Sequence, residues 1–121
     1  MAASTRIAPP NSLVLVMDSR GGEIPACMNE SLISATDSCI GVACRAEDDG
    51  ETEICLGVSS IVDPGERPVF EGRIGTPSRR IAVRTVLGTT LLEVAVSAAA
   101  TSVRIWANDS TEPDRVIVGI S

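Results

Sequence analysis

The chain has 121 residues, 44% of them hydrophobic, and a formal net charge of −6; its ten basic residues are all arginine, and histidine, lysine and tyrosine do not occur. That composition excludes Ser-His and Cys-His nucleophile pairs, Schiff-base and P-loop lysines, and histidine-ligated metals within one chain. The length suits one hydrophobic core rather than two, and the negative charge opposes nonspecific binding to nucleic acid or anionic membrane while speeding encounter with a basic partner.

Residues 1–11 are mostly small, polar or proline, with little side-chain surface to bury, and read as a flexible N-terminal arm. The apolar run Leu13 to Met17 that follows is too short for a secretory signal, and no segment reaches transmembrane length, so a cytoplasmic chain with reduced thiols is expected. From Ser12 onward, short stretches of valine, isoleucine, leucine and threonine alternate with Gly, Pro, Asp and Asn clusters. The strands predicted from this pattern cover residues 12–18, 38–45, 51–59, 69–74, 80–86, 90–96, 102–107 and 115–120. Together they predict an all-β fold, a two-sheet antiparallel β-sandwich of about eight strands forming one domain over residues 12–121. Residues 29–35 are the exception: Asn29 is a capping residue, and Leu32 with Ile33 gives one or two helical turns an apolar side.

Alternation also assigns faces. Leu92, Val94 and Val96 share one side of their strand, Val103 and Ile105 oppose Arg104 and Trp106, and Val116, Val118 and Ile120 oppose Arg115 and Ile117. The purely aliphatic sets should point inward. Trp106, the only tryptophan, is then either the core residue of a strand covered on both faces or a half-exposed anchor for a partner. Arg80 and Arg84 fall on one strand face, placed to pair with acidic neighbours, to hold a phosphate or to discourage edge pairing.

The densest charge is the segment Glu47, Asp48, Asp49, Gly50, Glu51, Thr52, Glu53. Its carboxylates lack the alternating register of a calcium loop. Asp49-Gly50 between two β runs signals a type I′ hairpin whose tip is an acidic contact surface or a solvated turn. Asp63 with Glu66, and Asp109 with Glu112 and Asp114, also fall in predicted turns, and would extend a negative surface if the turns share one end of the sandwich. Of the four cysteines, Cys44 and Cys55 fall opposite one another across that hairpin as a hydrogen-bonded pair, poorly disposed for a disulfide, while Cys39 and Cys44 point to opposite faces. No Cys-x-x-Cys knuckle occurs, so free thiols, no metal and no cofactor are expected.

The order of elements resembles competence protein J, the small acidic inhibitor of the bacterial competence nuclease. A short helical stretch (29–35) leads into a small-residue strand (37–45), a hairpin to 51–59, a proline-bounded central strand (67–74) and two late strands (102–120). The resemblance covers most of the chain, implies a β-rich inhibitor of a nuclease, and assigns no individual residue a role. The expected function is therefore a non-enzymatic, acidic protein-binding domain, an inhibitor or immunity protein for a basic nuclease or toxin. The alternative is a structural or oligomerising accessory subunit. Candidate partner-binding residues are Glu47, Asp48, Asp49, Glu51, Glu53, Trp106, Asp109 and Glu112.

Overall fold

A computed structural model describes residues 2–121. Its strands are β1 (Ala2–Ile7), β2 (Leu13–Asp18), β3 (Ile33–Ala35), β4 (Cys39–Ala43), β5 (Thr52–Val58), β6 (Phe70–Gly75), β7 (Arg80–Thr85), β8 (Thr90–Ala95), β9 (Ala100–Ala107) and β10 (Arg115–Ile120). They form two five-stranded sheets, ordered β1-β5-β10-β9-β6 and β3-β4-β2-β7-β8. All eight expected strands are present, with ends shifted by a residue or two. The one α-helix among the described residues, α1 (Ser59–Val62), is a single turn. No described helix is long and apolar enough to cross a membrane.

The aliphatic faces meet between the sheets. Val14, Val16, Ile40, Val42, Ile81 and Val83 of the second sheet pack there against Ile54, Leu56, Val103, Ile105, Val116 and Val118 of the first, each essentially inaccessible to water. Because these positions alternate along their strands, the inward sets deduced for β9 and β10 are the ones found inside, and Leu92, Val94 and Val96 pack on the rim of the same core. A smaller cluster of Leu15, Met17 and Cys39 lies on the opposite face of β2 and β4.

Three expectations are corrected. Within the expected arm, Ala2–Ile7 is an edge strand paired in antiparallel register with β5, from Ala2 opposite Gly57 to Ile7 opposite Thr52; Met1 lies outside the described residues. Side-chain area alone undervalued this segment, because a backbone ladder and the packing of Ile7 against the core hold it. Residues 29–35 contain no helix. Asn29 and Glu30 both take left-handed backbone, φ 51° and 60°, which turns the chain, and Ile33–Ala35 then adds to the edge of β4.

The third correction concerns residues 44–52. β4 and β5 belong to different sheets, so no hairpin joins them. Glu47–Asp49 is a 3-10 turn, and Gly50, at φ 129° and ψ −166°, occupies a conformation open only to glycine, redirecting the chain across the sandwich. Cys44 therefore does not face Cys55: Cys44 is buried in the main core and Cys55 lies half-buried on β5. The expected two-sheet sandwich dominated by antiparallel pairs is present; among the described strands the one parallel pair is β10 beside β5, Arg115 beside Glu53 through Ile120 beside Val58.

Candidate functional site

The parallel pairing of β5 and β10 brings both strand beginnings, and hence the loops preceding them, to one end of the sandwich. The 44–51 and 108–114 loops are stitched together there: Arg45 N–H donates to Pro113 O and Glu53 N–H to Asp114 O, both at 2.8 Å. The Thr52 hydroxyl, fully buried, donates to the same Pro113 carbonyl at 3.4 Å. Glu47, Asp48, Asp49, Glu51, Asp109, Glu112 and Asp114 are all exposed on these joined loops. The nearby arginines are Arg45, which lies against Gly50, Arg115, and Arg6 of β1, whose backbone lies opposite Glu53. The turn holding Asp63 and Glu66 approaches from the outer face of the first sheet, Pro64 and Glu66 lining a hollow with Asn108 and Arg115. Glu66 thus adjoins the joined loops, whereas Asp63 stays with α1, its N–H bonded to Ser59 O at 2.9 Å.

Individual carboxylates at this end differ in freedom. Glu53 is half-buried and pairs with Arg115, Oε1 to Nε 3.4 Å, so its charge is partly answered within the sheet. Asp109 Oδ2 accepts from Glu112 N–H at 2.8 Å and from the Thr111 N–H and hydroxyl at 3.0 Å. Those bonds, Glu112 N–H first, hold the Asp109 carboxyl below its ordinary range, and its role is to shape the loop. Asn108 completes the brace, its Oδ1 accepting from the backbone of Asp114 and Arg115 and its Nδ2 donating to Asp114 Oδ1. Glu47 Oε1 accepts from Asn11 N–H at 3.3 Å, tying in the 8–12 connection. Asp48, Asp49, Glu51 and Glu112 carry no side-chain hydrogen bond or ion pair among the described residues. Beside them a groove of about 310 Å³ runs over Leu13, Met28, Ala43 and Cys44, with Glu30 and Glu112 at its rim. Sequence reading missed Glu30 and this apolar floor, because both depend on the 19–31 segment folding back over β4.

Trp106 is not at this surface. It is 3% exposed on the outer face of β9, where the segment following α1 covers it and its Nε1–H donates to Glu66 O at 2.9 Å. Gly119 of β10 lies beneath it, so close that a methyl group there would come within 2.9 Å of Trp106 Cζ3 and 2.7 Å of Ser59 Oγ. Of the two readings of Trp106, the doubly covered strand is the one found.

The remaining candidates also resolve into neighbours. Arg80 Nε bonds Glu93 Oε1 at 2.9 Å. Arg84 donates to Thr90 Oγ1 at 3.2 Å and to the Ser19 carbonyl. Burial pushes the Cys39 thiol up to about 11 and Cys44 up to about 12, so neither is a thiolate at neutral pH; Cys55 is raised by burial and the nearby Glu53. Cys27 is exposed. No three Cys, Asp or Glu groups among the described residues come together to hold a metal ion.

The sheet order and connections can be compared with known folds. The chain shares its fold with ComJ. The crystal structure of ComJ, inhibitor of the DNA degrading activity of NucA, from Bacillus subtilis, superposes with a TM-score of 0.69 over 98% of this chain and 93% of that one, at 13% sequence identity. The product of crocagin biosynthetic gene J is similar at a TM-score of 0.52, with 11% identity over 98% of this chain and 94% of its own. No family model and no curated protein matches the sequence. The architectural resemblance to competence protein J drawn from the order of elements therefore holds at the level of structure.

Proposed function

We propose that this chain is a non-enzymatic protein-binding domain that docks its acidic end on a basic surface of another protein, in the manner of an inhibitor or immunity protein for a basic nuclease or toxin. The observation that carries the reading is the stitching of the 44–51 and 108–114 loops into one braced surface, on which Asp48, Asp49, Glu51 and Glu112 have no internal partner. Unanswered carboxylates held on a rigid frame raise the local potential and steer a cationic partner without reorganisation. The groove beside them suits an arginine or lysine of that partner, its stem on Leu13 and Met28 and its charge at Glu30 and Glu112. ComJ, by its description an inhibitor of a DNA-degrading activity, supports the inhibitor form of the reading. The crocagin gene product has a similar fold, so the fold by itself does not select that role, and the acidic end is what favours it.

The test uses the partner retained by the immobilised chain from lysate of its native host. Replacing Asp48, Asp49, Glu51 and Glu112 by their amides should slow association about tenfold or more at low salt and flatten its salt dependence, with the fold unchanged by circular dichroism, because exposed charges act mainly on the encounter rate. For the nuclease form, adding the chain to that partner should suppress DNA cleavage and the amide variant should suppress it less. An association rate unaltered by the substitutions at low salt refutes the docking mechanism.

A further inference from the structure

A second surface, independent of the carboxylates, lies at the free edge of the first sheet. β1 pairs with β5 alone, and no side-chain hydrogen bond or ion pair anchors residues 2–7 among the described residues. No residue of β1 is fully buried, and Ile7 is its main contribution to the core. The connection to β2, residues 8–12, is unusual. Pro9 and Pro10 favour an extended path and supply no backbone donor, and the chain must then reverse toward the other sheet through Asn11 and Ser12, both left-handed at φ 57° and 55°. Ser12 N–H to Pro9 O at 2.9 Å closes this reversal, and Asn11 N–H to Glu47 Oε1 at 3.3 Å and Cys44 N–H to Ser12 O at 2.8 Å hold it against the 44–51 loop. Left-handed backbone is tolerated by asparagine and disfavoured for serine, so the closed connection stores strain that an extended one does not.

We propose that β1 exchanges between two copies of this chain, each Ala2–Ile7 strand pairing with β5 of the other copy and residues 8–12 straightening as the hinge. The occupant fits because it is the same strand: the six register pairs from Ala2 opposite Gly57 to Ile7 opposite Thr52, and the Ile7 packing, are remade in the exchanged dimer. What differs between the closed monomer and the dimer is the hinge, which on exchange relaxes its two left-handed residues and gives up the Ser12–Pro9 and Asn11–Glu47 bonds, and the loss of translational freedom, which makes the dimer concentration-dependent. An edge strand held on one side opens locally without unfolding the core, giving a route between the two forms.

Ser4 and Cys55 are cross-strand neighbours and report the exchange directly. In a Cys27→Ser background, which removes the exposed thiol, a Ser4→Cys variant is incubated at increasing concentration in high salt, so that the acidic ends beside the hinges do not repel, and then treated with a short bis-maleimide. The exchange gives a covalent dimer on denaturing gels, with peptide mass spectrometry joining position 4 to Cys55, at a fraction that rises with concentration. An intrachain 4–55 link at every concentration, with no such dimer, overturns the proposal. Should that variant not fold, light scattering on the unaltered chain decides. A dimer that forms on incubation, and that Asn11→Gly with Ser12→Gly reduces severalfold, supports exchange through the strained hinge; a monomer throughout, or a dimer indifferent to the hinge glycines, refutes it.

Discussion

Trp106 tests how the outer face of the first sheet is built. Its ring fills the space between β9 and the segment after α1, its Nε1–H satisfies Glu66 O, and it leaves no room for a side chain on Gly119. Truncation by Trp106→Ala removes the whole ring and should cost about 3–5 kcal/mol. With a urea dependence of about 1–3 kcal/mol per molar, that lowers the unfolding midpoint by roughly 2 M or leaves the chain unfolded in water. Trp106→Phe is the working probe: it forfeits one hydrogen bond, about 0.5–1.5 kcal/mol, together with part of the packing. Gly119→Ala by itself should cost about 1–3 kcal/mol, since its methyl group would sit 2.9 Å from Cζ3 and 2.7 Å from Ser59 Oγ. Because the smaller phenylalanine ring relieves one of those overlaps, the double variant should be less destabilised than the two single changes summed. Urea unfolding followed by far-UV circular dichroism measures all three. Addition of the single effects within about 0.5 kcal/mol would mean that the ring does not limit position 119, and a Trp106→Ala chain as stable as the parent but deficient in partner binding would return Trp106 to the role of an interface anchor.

Further expectations concern the titratable groups. Asp18 is 1% exposed; burial raises its pKa, but the Ser78 hydroxyl and the Arg20 and Ser78 N–H groups outweigh that and leave it below its ordinary value. A depressed folded-state pKa means stability present above the unfolded value and lost as pH falls through the folded one, so Ser78→Ala should move the acid-unfolding midpoint to higher pH and leave the stability difference largest near neutrality. Asp18→Ala, which takes the acceptor from two part-buried N–H groups and the Ser78 hydroxyl, should cost about 1–3 kcal/mol in urea unfolding at pH 7. In native thiol titration Cys27 should react quickly and Cys55 more slowly, while Cys39 and Cys44 should react only when the chain unfolds, consistent with thiols pushed up to about 11 and about 12.

The sequence by itself determined eight of the ten described strands and, where alternation is clean, their faces. Period-two alternation is a local property, so the inward positions of β9 and β10 were legible without knowing their neighbours, and the absence of histidine and lysine limited the chemistry before any fold was considered. Local reading failed where a segment's conformation is set by a distant partner. The Ala2–Ile7 strand exists because β5 offers it a backbone ladder, and residues 29–35 turn and extend because β4 offers an edge. Asp49-Gly50 reads as a hairpin signal, but glycine permits a chain reversal and a sheet crossing equally, and only the partners of β4 and β5 choose between them. The same holds for the acidic end. Composition supplied the carboxylates, but which of them are free followed from tertiary contacts: Arg115 beside Glu53, Thr111 and Glu112 around Asp109, and the parallel alignment of β10 with β5 that joined the two loops. Charge is written residue by residue, whereas the surface it forms depends on which strand ends meet, and that is decided by long-range pairing in the folded chain.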